Sequence, residues 1–310
     1  MLTNFSAHSF GDYGNRTLLR VTGPDAVTFL HNLCTQDIRS MKPGDCSEAF
    51  ITNVQGKTLG YVRVFRLNEG AYLECSPGEG PALLAHFDKY QIREKVEFLD
   101  LSKTAHGFVA SWGLVDSFTK EMGQISLAQD RFVLCTESSP HFILARWEIA
   151  GPESAFVITI DHEGKSQWLQ FALSLEAQSI PAEELQANRI SAGTIEFGSD
   201  VTSENLPQEL TRDSKTISFT KGCYLGQETV ARIDALGHVN RLLIRLRGAG
   251  KLPIVPGDAI FKDGKQVGQI TSSAYWDSKK EHWAMGFVRR GNQTPGTMIT
   301  VNDASLEVVG

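Results

Sequence analysis

The chain has 310 residues, is 41% hydrophobic and 21% charged, and carries a formal net charge of −6, so it can bury two or three cores without disulfide or metal support. No apolar run approaches the length of a membrane span, and the negative balance disfavours a partner held by phosphate contacts; neither membrane insertion nor direct nucleic-acid binding is expected. Cys34, Cys46, Cys75, Cys135 and Cys223 are scattered without a C-x-x-C pair, and the start lacks a basic and an apolar leader region, which predicts a reducing, cytoplasmic setting.

In chain order, residues 17–21 read as a short strand. Val27, Phe29, Leu30 and Leu33 then recur at helical spacing across residues 24–34. Two β-rich runs, 46–53 and 58–67, are joined by Val54-Gln55-Gly56-Lys57 and predict a hairpin with glycine at its turn. Residues 71–75 add a strand, 81–90 a helix with proline in its first turn, and 96–101 another strand. Strand-like runs dominate up to residue 160, at 107–112, 131–135, 142–147 and 155–160. Asp161-His-Glu-Gly164 reads as a polar turn, and helices resume at 167–176 and 181–187. From Arg241 onward, β runs at 241–247 and 266–272 alternate with glycine- and proline-containing turns, the pattern of a small separate β-barrel or sandwich. Strands and helices mix without steady βαβα alternation, which predicts an α+β fold with antiparallel sheets.

Several chemistries lack their residues. Four Gly-Lys pairs have Ile51, Thr159, Arg245 and Ala259 where a P-loop needs its first glycine. Gly78-Glu-Gly80 lies between a strand and a helix, but Leu83 stands at the third glycine position of a dinucleotide-binding turn. The eight histidines form no zinc-type spacing and no G-x-S-x-G elbow exists, so no metal site and no serine hydrolase are expected.

The densest local signal is Phe219-Thr-Lys-Gly-Cys-Tyr-Leu-Gly-Gln-Glu-Thr-Val-Ala-Arg232. Gly222 and Gly226 bracket Cys223, giving the backbone freedom to turn and approach a ligand. Lys221 and Arg232 place cations near the thiol, which favours the reactive thiolate, while Gln227 and Glu228 offer hydrogen bonds to a polar heterocycle. On chemistry alone, the favoured reading of Cys223 is a small buried hydrophobe in a glycine-rich turn leading into a helix.

Lys221-Gly-Cys-Tyr-x-Gly-Gln-Glu-x-x-x-Arg232 resembles the signature K-G-C-[FY]-x-G-Q-E-x-x-x-R of the YgfZ family, the iron-sulfur cluster assembly branch of the glycine-cleavage T-protein superfamily. The resemblance extends along the chain, through residues 19–33 with Thr35-Gln-Asp37, through Phe50-Ile-Thr-Asn-Val-Gln-Gly-Lys57, and through Arg189-Ile-Ser-Ala-Gly193 with Gly198-x-Asp200. It implies a three-domain ring around a folate channel, made of a region over 1–237 with two intertwined α+β subdomains and a C-terminal β-barrel over 238–310. Two departures stand out. Gly60 and Tyr61 occupy positions where the aminomethyltransferase branch carries aspartates, and Ser191 stands where relatives present a pterin-binding glutamate.

The resemblance implies a folate-binding accessory factor for iron-sulfur cluster assembly or repair. Cys223 would be the reactive thiol and tetrahydrofolate or a derivative the cofactor. Lys221, Gly222, Tyr224, Gly226, Gln227 and Glu228 would belong to the folate site. Asn53 and Gln55 would face the channel, with a turn-stabilising role for Asn53 as the alternative. Arg189 and Arg232 would neutralise the folate tail or form structural ion pairs. Expected partners are folate and iron-sulfur assembly proteins or their client enzymes, with a link to tRNA modification through iron-sulfur enzymes. The competing reading is a tetrahydrofolate-dependent aminomethyl or one-carbon transferase.

Overall fold

The computed structural model describes residues 8–123, 128, 131–135, 141–147, 149–151 and 153–310. Strands β1 (Ser9–Asn15) and β2 (Thr17–Thr22) lead into helix α1 (Ala26–Leu33). The expected hairpin follows as β3 (Cys46–Thr52) and β4 (Thr58–Leu67), then β5 (Gly70–Cys75), α2 (Gly80–Tyr90) and β6 (Glu97–Asp100). These strands form an antiparallel sheet in the order β3-β4-β5-β2-β6. Strand alternation sorts its side chains: Val62 and Val64 of β4 pack with α1 and α2, whereas Phe65 points into the neighbouring core.

A second sheet takes β1 together with β7 (His106–Ser111), β8 (Phe132–Cys135), β9 (Phe142–Ala145), β10 (Ser154–Thr159) and the two-residue β11 (Gln178–Ser179), in the order β11-β1-β7-β10-β9-β8. The two sheets are therefore interleaved in sequence, because β1 and β2 are one residue apart yet join different sheets. Helices α3 (Trp112–Glu121) and α4 (His162–Ser174) flank β7 and β10, burying Leu114, Val115, Phe118, Trp168 and Phe171 in one cluster. Helices α5 (Ala182–Ala192), α6 (Asp213–Thr216) and α7 (Gln227–Leu236) precede the tail. There β12 (Arg241–Ala249), β13 (Ala259–Lys262), β14 (Lys265–Trp276), β15 (Glu281–Arg289), β16 (Met298–Val301) and β17 (Ala304–Val309) close into a barrel. The fold is α+β with antiparallel sheets and a C-terminal barrel, as the sequence predicts.

Two local expectations are corrected. Helix α3 starts directly where the strand over 107–112 was expected to end, with the Ser111 hydroxyl accepting from Leu114 N. Asp161-His-Glu-Gly164 is the first turn of α4 rather than a free polar turn: Asp161 Oδ1 accepts from Gly164 N at 2.8 Å and caps the helix. Helix α5 joins the parts, since Ala187 and Ile190 share a core with Phe50 and Tyr61 of the first sheet and with Trp276, Trp283 and Met285 of the barrel. Among the described residues, no helix is long and apolar enough to cross a membrane.

Candidate functional site

Between α6 and α7 the cysteine segment crosses the C-terminal end of α1, where a helix leaves carbonyls without partners. Lys221 supplies them. Its buried ammonium donates to the carbonyls of His31, Cys34 and Gln36 at 2.5, 2.8 and 2.8 Å. Leu225 N donates to Asn32 O at 2.9 Å, and Thr52 Oγ1 donates to Leu225 O at 2.6 Å, so the segment is fastened to both α1 and the β3–β4 hairpin. The closest approach is glycine on glycine. A Cβ on Gly226 would lie 2.4 Å from Asn53 O and 2.8 Å from Gly56 Cα, and both glycines have positive φ, 84° and 75°.

This framework presents Cys223 to solvent. Gly222 beside it has open space in the Cβ direction. Tyr224 is buried, with the Lys221 ammonium 4.9 Å from its ring centre, and burial together with the nearby Cys34 thiol pushes its hydroxyl pKa up. Gln227 opens α7 half-buried, while Glu228 and Arg232 are exposed and make no ion pair among the described residues. Asn53 takes its turn-stabilising role: Oδ1 accepts from Gln55 N at 2.9 Å and Lys57 N at 3.0 Å, leaving Gln55 exposed at the tip.

Two charge assignments change. Lys221 has all three donor positions filled by carbonyls at and just beyond the end of α1, with burial lowering its pKa, so it braces the loop instead of donating to the Cys223 thiol. Arg189 is fully buried, donating to Asp200 and the Thr194 carbonyl at 2.6 Å each, to Gln186 Oε1 at 2.8 Å and to Ser272 Oγ at 3.0 Å. A guanidinium with this set of partners and no exposure has no reach to a ligand tail, and the structural ion pair is its role. Ser191, also buried, turns its hydroxyl back to Asn188 O at 2.9 Å.

The sequence reading missed a buried polar cluster on the first sheet. Glu74 accepts from Arg16 Nε at 2.6 Å and Arg63 Nη1 at 2.5 Å. Glu196 accepts from Tyr13, Arg16 and Ser76. Burial alone would raise the Glu196 pKa, but Arg16, Arg63 and Arg189 overcome it and hold the carboxyl at about 2. Two guanidiniums thus match two carboxylates, and Glu79 is a third acid without a cation of its own. Burial, then Glu196 and Glu74, push it up to about 8. Both its oxygens are buried without a well-formed hydrogen bond, the nearby Ser76 hydroxyl offsetting the rise only in small part, and Oε2 lies 3.3 Å from where a Cβ on Gly60 would be. The available signal was a charged residue inside an apolar strand, Arg63 between Val62 and Val64 and Glu74 between Leu73 and Cys75.

Comparison with known proteins places this geometry. The family described as the glycine cleavage T-protein C-terminal barrel domain matches residues 241–307. The human mitochondrial iron-sulfur cluster assembly factor IBA57 is 29% identical over 82% of this chain and 72% of its own length. The tRNA-modifying protein YgfZ of Blochmanniella pennsylvanica is 26% identical over 75% of this chain and 69% of its own. The crystal structure of the glycine cleavage system aminomethyltransferase T from Bartonella henselae superposes with a TM-score of 0.80 over 98% of this chain and 85% of that one, at 18% identity. These likenesses support a YgfZ- and IBA57-type protein of the glycine-cleavage T-protein superfamily. The chain spans 66% of the length of a further, chloroplast relative from Arabidopsis thaliana. By sequence the superfamily profile covers the barrel, and by fold the likeness to aminomethyltransferase T takes in nearly the whole chain.

Proposed function

We propose that this protein is a folate-binding accessory factor for iron-sulfur cluster assembly or repair, working through the Cys223 thiol. The observation that carries the reading is an exposed thiol on a backbone locked to α1 and the β3–β4 turn. Such a thiol reaches a bound partner without the loop having to reorganise, which is how a positioned nucleophile or ligand is built. The relatives named for cluster assembly and tRNA modification support the same process.

Unpartnered polar atoms on and beside the first sheet support folate as the ligand. Glu79 has two buried oxygens without a well-formed hydrogen bond, and Arg63 has unpaired Nε and Nη2 atoms; a pterin presents donors and acceptors side by side that such groups recognise. Gln227 and Glu228, next to the cysteine loop, would bind outer parts of the ligand, and Arg232 would meet its anionic tail. The folate would supply a carrier for a one-carbon unit.

Gene deletion in the host followed by complementation tests the proposal, with an enzyme that requires a four-iron cluster as readout. Wild type should restore its activity and Cys223→Ala should not, although the variant is folded; full rescue by Cys223→Ala refutes the thiol's role. Tetrahydrofolate titration of the purified protein tests the cofactor, and absence of saturable binding refutes it. A one-carbon transferase is the second reading, favoured by the Glu79 carboxyl beside Gly60. Folate-dependent turnover of an amine, lost in Glu79→Gln, would establish it.

A further inference from the structure

At the far end of α7 from Cys223 lies a cleft of about 280 Å³, between α7, α6 and the start of the barrel. Four oxygen-bearing side chains line it, Gln208, Asp213, Asp234 and Gln293, and the Gln293 Oε1 already accepts from Gly291 N. Gln208 is 7% exposed. Its amide nitrogen donates to Val230 O at 2.7 Å, which fixes the amide orientation, and its Oε1 makes no hydrogen bond. Asp213 Oδ1 is likewise buried without a partner. Neither aspartate has an ion-pair partner among the described residues. Gln208 Oε1 and Asp213 Oδ1 are buried acceptors that no donor of the described residues meets, and the exposed carboxylate of Asp234 stands beside them, so a donor entering the cleft would satisfy both. The rest of the lining includes the apolar side chains of Ile233, Val239 and Leu242.

We propose that this cleft binds a small aliphatic amine, its primary ammonium held by Gln208 Oε1, Asp213 and Asp234 and its methylene chain lying on the apolar lining. An ammonium carries three donors and no acceptor, the complement of these three groups. The cleft volume is several times that of a bare ion, so the apolar wall has work for an organic cation that a metal would not use. Burial, followed by repulsion from Asp234, pushes the Asp213 carboxyl up to about 6. His238 and Arg290 are the other titratable or charged groups lining the cleft. Amine binding must therefore drive off the Asp213 proton at low pH, and affinity should fall as pH drops through 6.

Isothermal titration of the full chain with n-butylamine tests this, with tetramethylammonium and magnesium chloride as controls. One-to-one binding is expected at pH 8, with neither control binding at the same concentration. Asp234→Asn and Asp213→Asn should each weaken butylamine about tenfold or more. Asp213→Asn should also abolish the pH dependence between 5 and 8; a pH dependence that survives overturns the role given to Asp213. Failure of wild type to bind butylamine, equal binding of tetramethylammonium or magnesium, or unchanged affinity in both variants overturns the site. Because the readout involves no folate and no cluster enzyme, its outcome is independent of the function proposed for Cys223.

Discussion

Alanine at three glycines around the cysteine loop separates two physical costs. At Gly222 the Cβ meets nothing within 4 Å and φ is not positive, so alanine should change stability by less than about 0.5 kcal/mol. At Gly237, φ is 97° with the same open space, so only the left-handed conformation is penalised, by about 1–2 kcal/mol. Gly226 combines a φ of 84° with a Cβ 2.4 Å from one backbone oxygen and 2.8 Å from Gly56 Cα. Neither neighbour is a side chain that can rotate away, so overpacking adds about 1–3 kcal/mol to the conformational cost. The hairpin and the loop must then separate, and hydrogen exchange at residues 53–57 and 222–226 should rise together. Urea unfolding gives the stability order and mass spectrometry the exchange. A Gly226→Ala protein as stable as Gly222→Ala, with unchanged exchange in the hairpin, would refute the close approach of the two turns.

Three further perturbations probe the buried charges. Lys221→Met leaves the carbonyls of His31, Cys34 and Gln36 without their donor and should cost about 2–4 kcal/mol; because Cys34 is buried beneath, its thiol should become titratable by a disulfide reagent, and unaltered stability would refute the bracing role. Glu79, whose folded pKa of about 8 exceeds its ordinary value of 4.5, contributes no penalty below 4.5 and lowers stability as pH rises towards 8, by at most about 1.4 kcal/mol per pH unit. Glu79→Gln should flatten that part of the stability profile, and an unchanged slope would refute the raised pKa. Arg189→Met strips the partner from buried Asp200 and should cost about 3–5 kcal/mol, while folate affinity per folded molecule stays at the wild-type value; reduced affinity with intact stability would return Arg189 to the ligand site.

What the sequence made legible follows from how local each feature is. The β3–β4 hairpin was readable because its strands alternate and Gly56 marks the turn. The barrel was readable because short strands and glycine turns recur within 70 residues. Strand β1 escaped because Ser-Phe-Gly-Asp-Tyr-Gly-Asn has two glycines and little alternation, its pairing being supplied by β7 almost a hundred residues away. Helix α3 escaped because no loop separates it from β7. In the cysteine motif, residue types identified the segment, but the direction of Lys221 depends on carbonyls 185 to 190 positions earlier in the chain. The Tyr13, Ser76 and Glu196 cluster is likewise assembled only by folding.

The cysteine motif joins residues with two different duties. Lys221, Tyr224 and Gly226 face inward, where they complete the end of α1 and allow the hairpin to approach. Cys223, Glu228 and Arg232 face outward, where they meet solvent. A free loop carrying the same thiol would have to be ordered whenever a partner bound, at a conformational cost of about 1–2 kcal/mol per residue. Here that ordering is completed during folding, by bonds to α1 and contacts with the hairpin. Under the function proposed for Cys223, the motif's residues couple stability to chemistry, and mutations at its inward positions should impair function through the framework even when the thiol itself is intact.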